Sequence, residues 1–226
     1  MYIQLDGQVL YYEKEGEGAP MILLHGNGES HEIFDELIPE LTGQFCLYAI
    51  DSRGQGGSAT PKSYHYSDMA ADVIRFIEAL HLTKPILCGF SDGAIIALLA
   101  AISRSDLLSA IVVCGANLSP KGLTLHARHQ IKSLYKKTSS PLIQMMLEEP
   151  SISEDDLHRI TVPALICAGS RDMIRPKETN RIAQHIPDAT LHIFEGATHS
   201  SYVEHSKELA PVLQDFLSVS TVADPV

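Results

Sequence analysis

Basic residues are scarce in this sequence: 17 Lys and Arg stand against 28 Asp and Glu over 226 residues, a formal net charge of −11 with His neutral. Neutralising phosphates takes clustered Lys and Arg, so no nucleic-acid partner is expected. The one dense basic spot, Lys132 to Lys137, reads as a solvated helix face. Cysteine is scarce as well. Cys46, Cys88, Cys114 and Cys167 form no C-x-x-C pair, which leaves zinc and dithiol motifs without support. Each lies in an apolar run, where a buried reduced thiol is expected. Long apolar stretches are missing. The longest, around Ala94 to Ile102, falls far short of a bilayer span. The opening residues show no basic region leading into an apolar core, so no secretory leader is read. A cytoplasmic protein with no membrane partner is the expectation. Repeats, low-complexity tracts and interdomain linkers are also absent, and oligomeric state is not legible.

What is present fits one α/β domain over residues 1–226. Residues Tyr2 to Tyr12 alternate polar and apolar about Asp6-Gly7, a hairpin signal. Short continuous apolar runs follow at Met21 to Leu24, Phe45 to Ile50, Pro85 to Cys88, Leu108 to Cys114, Val162 to Ala168 and Leu191 to Phe194. Such runs suit strands buried on both faces of a parallel sheet. Helical patterns separate them: Met69, Val73, Phe76, Ile77 and Leu80 share one face, Gly93 to Ile102 forms another helix, and Pro176 opens a third. Lys207 to Leu217 forms the last, with a frayed tail expected after Ser218. This alternation predicts a mostly parallel sheet with helices on both faces. Between about 118 and 160 no strand is evident. Ala127, Ile131, Leu134 and Tyr135 have helical spacing there, Pro141 to Leu147 is a second apolar patch, and Leu157 with Ile160 marks a third short helix. A short helical cap is expected.

The strongest chemical signal is Gly89-Phe90-Ser91-Asp92-Gly93, a G-x-S-x-G run between a strand and a helix. A serine on that turn is held with its hydroxyl exposed, and the following helix points its first amides at developing negative charge. A hydroxyl needs a base. His199 lies just past the final strand, a position that raises it above the other histidines. An imidazole needs a carboxylate to fix its tautomer, and Asp172 follows the preceding strand. All three fall at strand carboxyl ends, where ligands gather in open α/β sheets. Ser91, Asp172 and His199 are therefore the expected catalytic residues. The glycine-rich stretch His25-Gly26-Asn27-Gly28 follows a strand, and the backbone N–H groups of Asn27 and Asp92 are the expected oxyanion donors. As these donors are backbone groups, substituting either side chain is expected to cost much less than the about 3–4 kcal/mol of transition-state stabilisation that goes with losing a donor.

These motifs together resemble the α/β-hydrolase fold superfamily over nearly the whole chain. Asp51-Ser52-Arg53-Gly54-Gln55-Gly56-Gly57-Ser58 resembles that family's D-x-R-G-x-G-x-S turn, and Gly169 to Asp172 its acid-bearing loop. The resemblance implies Ser91 as nucleophile, His199 as base and Asp172 as acid, with no cofactor and no metal. Some relatives carry the acid one strand earlier. Here that neighbourhood reads Gly115-Ala116-Asn117, an amide, which favours Asp172.

The expected activity is hydrolysis of small carboxylic esters, a small-molecule substrate passing through an acyl-enzyme. Carbon–carbon bond hydrolysis, thioester hydrolysis and cofactor-free haloperoxidase chemistry use the same triad and stay open. So does a ligand-binding role, because fold does not fix function. Phe90, Leu142, Met145 and Met146 are pocket candidates, although the cap residues among them serve equally well as packing. His126 and His129 have a metal-like spacing but only two ligands, so a plain helix face is expected.

Overall fold

Alternate side chains of a strand face opposite sides of its sheet, and the apolar runs of this chain fill both sides. The structure is a computed structural model and describes residues 1–220. In β3 (Ala19–Leu24), Ile22 and Leu24 enter one core while Met21 and Leu23 enter the other. The same division runs through β4 (Phe45–Ile50), β5 (Ile86–Phe90), β6 (Ala110–Cys114) and β7 (Ala164–Gly169), all buried throughout. With β1 (Tyr2–Leu5), β2 (Gln8–Glu15) and β8 (Ala189–Phe194) they make an eight-stranded sheet ordered β1-β2-β4-β3-β5-β6-β7-β8. The β1–β2 and β2–β4 pairs are antiparallel and the rest parallel. This is the mostly parallel α/β sheet with an antiparallel start that the sequence implies.

Helices cover both faces. On one lie α2 (Tyr66–Ala79), α3 (Asp92–Arg104) and α7 (Pro176–His185), which bury Met69, Val73, Phe76, Leu98 and Ile182. On the other lie α1 (Ile38–Leu41), the single-turn helix His31–Phe34 before it, and α8 (Leu209–Ser220). The two short elements escape a sequence reading because four residues carry no helical period. Helix α8 continues beyond Ser218, where the sequence suggests fraying; positions 221–226 of that tail lie outside the described residues. The four cysteines are buried free thiols. Contact with Cys114, together with burial, pushes the Cys88 thiol well above the usual range.

Between β6 and β7 lie α4 (Leu125–Thr138), α5 (Pro141–Glu148) and α6 (Glu154–Leu157). Helix α4 departs from its apolar spacing. Only Ala127 is buried, whereas Leu134 is 45% and Leu125 73% exposed. Among the described residues no helix is long and apolar enough to cross a membrane.

Register fixes where the site lies. Leu24 is level with Ile50 and with Gly89, Phe90 with Cys114, and Gly169 with Phe194. The residues that follow these ends therefore gather along one edge.

Candidate active site

Ser91 occupies the turn from β5 into α3 with φ 53° and ψ −113°, a left-handed conformation that costs a non-glycine residue about 1–3 kcal/mol. Two close approaches hold the turn. A Cβ on Gly89 would strike the Gly93 carbonyl, and one on Gly93 would strike the backbone of Leu24 and His25. The Ser91 N–H donates to the Cys114 carbonyl at 2.8 Å, tying the turn to the end of β6.

The structure brings Ser91, His199 and Asp172 together. Ser91 Oγ lies 3.0 Å from His199 Nε2, and His199 Nδ1 lies 2.7 Å from Asp172 Oδ1. The Phe90 ring sits 5.1 Å from the imidazole, centroid to centroid. Asp172 Oδ1 also accepts the Ile174 N–H at 2.8 Å, while its buried Oδ2 has no partner among the described residues. The loops carrying Asp172 and His199 are laced together. Ser170 N–H donates to the Phe194 carbonyl, Arg171 N–H to the Ala197 carbonyl, and Gly196 N–H to Ser170 Oγ. At the rival acid position, the Asn117 amide donates to the Ser119 carbonyl, so it is engaged locally. Gly115, at the end of β6, has φ +71° and leaves the space into which the His199 ring fits.

Beside Ser91 runs the loop after β3. Gly26 N–H donates to Glu29 Oε2 at 2.8 Å and Gly28 N–H to Gln55 Oε1 at 2.6 Å. The Asn27 N–H between them makes no hydrogen bond among the described residues, and neither does the N–H of Asp92 at the start of α3. His25 Nε2 accepts the Ser52 N–H, which places its proton on Nδ1, facing the Gly26 carbonyl. Burial lowers the His25 pKa and keeps this ring neutral.

The side chains of Asn27 and Asp92 are bonded to one another: Asn27 Nδ2 donates to Asp92 Oδ2 at 2.8 Å, and Tyr66 Oη donates to Asp92 Oδ1 at 2.7 Å. Burial pushes the Asp92 carboxyl up, while these two donors pull it down. The sequence signal for this bond was a carboxylate opening an otherwise apolar helix; Asn27 and Tyr66 gave none. Asn27→Ala leaves Asp92 Oδ2 buried without its donor. It is expected to lower stability by about 1–3 kcal/mol in urea unfolding, and an unchanged midpoint would refute this role.

Among the pocket candidates, Phe90 is buried under the imidazole and Met145 is packed in the core at 3% exposure, so packing accounts for Met145. Leu142 and Met146 are half-buried. The Leu142 carbonyl lies 3.5 Å from Asn27 Nδ2, which sets α5 beside the loop. His126 and His129 have no third ligand beside them among the described residues.

A family model for the alpha/beta hydrolase fold matches residues 19–143. The chain is 26% identical to the serine hydrolase BPHL of Homo sapiens, over 95% of this chain and 85% of that protein. It is 24% identical to a pimeloyl-acyl-carrier-protein methyl ester esterase of Aliivibrio salmonicida, over 92% of this chain and 95% of that protein. Among solved structures, an esterase from Exiguobacterium antarcticum aligns with a TM-score of 0.84 at 23% identity, covering 96% of this chain and 98% of that one. At that identity the likeness is one of fold.

Proposed function

Because this chain belongs to the alpha/beta hydrolase fold family, we propose that it is a serine hydrolase that cleaves small carboxylic esters through an acyl-enzyme. The observation that carries the reading is the unbroken line from Asp172 through His199 to Ser91, at 2.7 and 3.0 Å. In this scheme Ser91 Oγ attacks the ester carbonyl and His199 Nε2 takes its proton. Asp172 holds the imidazole tautomer and balances the imidazolium that forms. The free N–H groups of Asn27 and Asp92 receive the oxyanion, a contribution typically worth about 3–4 kcal/mol per donor. The alcohol leaves with the proton from His199, and water then repeats the sequence to release the acid. Leu142 and Met146 supply an apolar wall. Two relatives support the direction, one described as a serine hydrolase and one as a methyl ester esterase.

The test uses p-nitrophenyl acetate and a fluorophosphonate. The expected result is a burst of one p-nitrophenolate per enzyme and a phosphonylated peptide modified at Ser91. Native protein that stays unlabelled and gives no burst would overturn the assignment. A burst seen only with thioesters would move the substrate class and leave the nucleophile in place.

A further inference from the structure

Asp92 supplies a backbone N–H to that scheme, but its carboxylate takes no part in it. A carboxylate at this place is unfavourable twice over. It is 2% exposed, and burial penalises its charge. That charge also opposes an oxyanion forming close by. What the side chain provides is geometry. Its Oδ2 accepts from Asn27 Nδ2 at 2.8 Å and its Oδ1 from Tyr66 Oη at 2.7 Å, so two distant segments grip it. Each of those segments also meets the cap helix α5. The Tyr66 N–H donates to Glu149 Oε2 at 3.1 Å, and His65 Nδ1 lies 2.6 Å from Glu149 Oε1. Glu149 follows the last residue of α5. Near the other end of α5, the Leu142 carbonyl lies 3.5 Å from Asn27 Nδ2. Asn27 and Tyr66 are thereby braced by one helix, at its two ends.

The two residues joined by the Asn27–Asp92 bond are the same two whose N–H groups are left without a partner. In each, the side chain and the N–H belong to one residue, so a bond between the side chains fixes the distance between the N–H groups. We propose that the Asp92 carboxylate is a positioning residue: with Asn27 Nδ2 it forms a strut that sets the spacing of the two oxyanion donors. This role rests on the serine-hydrolase reading. The Asp92 N–H is placed by the tight turn into α3. The Asn27 N–H sits on a loop whose neighbouring N–H groups are held by side chains, Glu29 on Gly26 and Gln55 on Gly28. The strut is what refers that loop to the turn of Ser91. Donors of this kind work because they are in place before charge develops. The ground-state carbonyl carries little of that charge, so losing the strut falls on the acylation rate rather than on substrate binding.

The test compares the p-nitrophenyl acetate burst of wild type with those of Asn27→Ala, Asp92→Ala, Asp92→Asn and the double Ala variant. Each single Ala variant is expected to lower the maximal burst rate constant about tenfold, because a donor displaced by a fraction of an ångström stabilises the oxyanion less. The half-saturating substrate concentration should stay within about twofold. Affinity for a trifluoromethyl ketone, whose adduct with Ser91 bears an oxyanion, should fall by the same factor as the rate. The double variant should be no slower than the slower single one, since both changes remove one strut. Asp92→Asn keeps the shape and an oxygen for Asn27 Nδ2, and should recover most of the rate that Asp92→Ala loses. A purely structural role would lower the unfolding midpoint and leave the burst of folded protein unchanged. Additive losses in the double variant, Asp92→Asn as slow as Asp92→Ala, or Asn27→Ala within about twofold of wild type would each overturn the strut. Should Asp92→Ala fail to fold, Asn27→Ala decides alone, because Asn27 is only half-buried. The wild-type burst separates the two ideas. Its absence removes the hydrolase reading and the strut's role with it, whereas a normal burst that the variants keep removes the strut alone.

Discussion

Ser91→Ala is expected to lower kcat for p-nitrophenyl acetate by about 10⁴–10⁶-fold and to abolish fluorophosphonate labelling. The proposed scheme puts the whole covalent step on one oxygen, and Ser91 Oγ has its hydrogen bond to His199 Nε2 at 3.0 Å. Removing the oxygen leaves the oxyanion donors in place, so a residual rate above water is expected rather than none. Stability should change by less than about 1 kcal/mol. The backbone strain at φ 53° applies to alanine as it does to serine, and the Ser91 N–H bond to Cys114 is untouched. Large loss of rate with intact folding is the signature to look for. A variant that keeps more than a hundredth of the wild-type rate would mean that the nucleophile lies elsewhere.

Gly115→Ala is expected to give the second largest effect although residue 115 enters no chemical step. A Cβ there would stand 2.7 Å from His199 Cε1 and 3.0 Å from Nδ1. The neighbouring strand gives no room to retreat, because the Gly115 N–H is bonded to the Cys167 carbonyl at 2.9 Å. The ring must move, and a shift of about 1 Å at a reacting group costs about 10²-fold in rate. The left-handed φ of +71° adds about 1–2 kcal/mol of strain for any side chain. Turnover about a hundredfold lower, with a lower urea midpoint, is the expected pair of results. Turnover within threefold of wild type would show that the histidine is not held by this contact.

Sequence reading reached the parts of this molecule that are written locally. The strands from Phe45 to Ile50 and after Leu108 are apolar because both faces are covered, and that is visible residue by residue. Ser91 was legible because its glycines, strand and helix are contiguous in the chain. His199 and Asp172 were reached by their place after a strand and by the family resemblance, and the geometry brings both to Ser91. What the sequence withheld are pairings between distant segments. Asn27 and Asp92 are 65 positions apart, and nothing local ties an amide in one loop to a carboxylate on another. Helix α4 shows a converse limit: the spacing of Ile131, Leu134 and Tyr135 marks a face, but only packing decides what covers it, and Leu134 is left to solvent.

Strand order also decides when the site can exist. Ser91 and His199 are 108 residues apart, and each parallel pair in the sheet joins segments separated by a crossover. Closing such long loops is entropically unfavourable until the distant strands dock, so sheets of this kind assemble slowly. No hairpin or single helix of this chain holds two members of the Ser91, Asp172 and His199 set. A refolding chain regains turnover only once β5, β6, β7 and β8 are seated side by side. Recovered activity is therefore a late clock of folding, one that reads the last docking event rather than the first collapse.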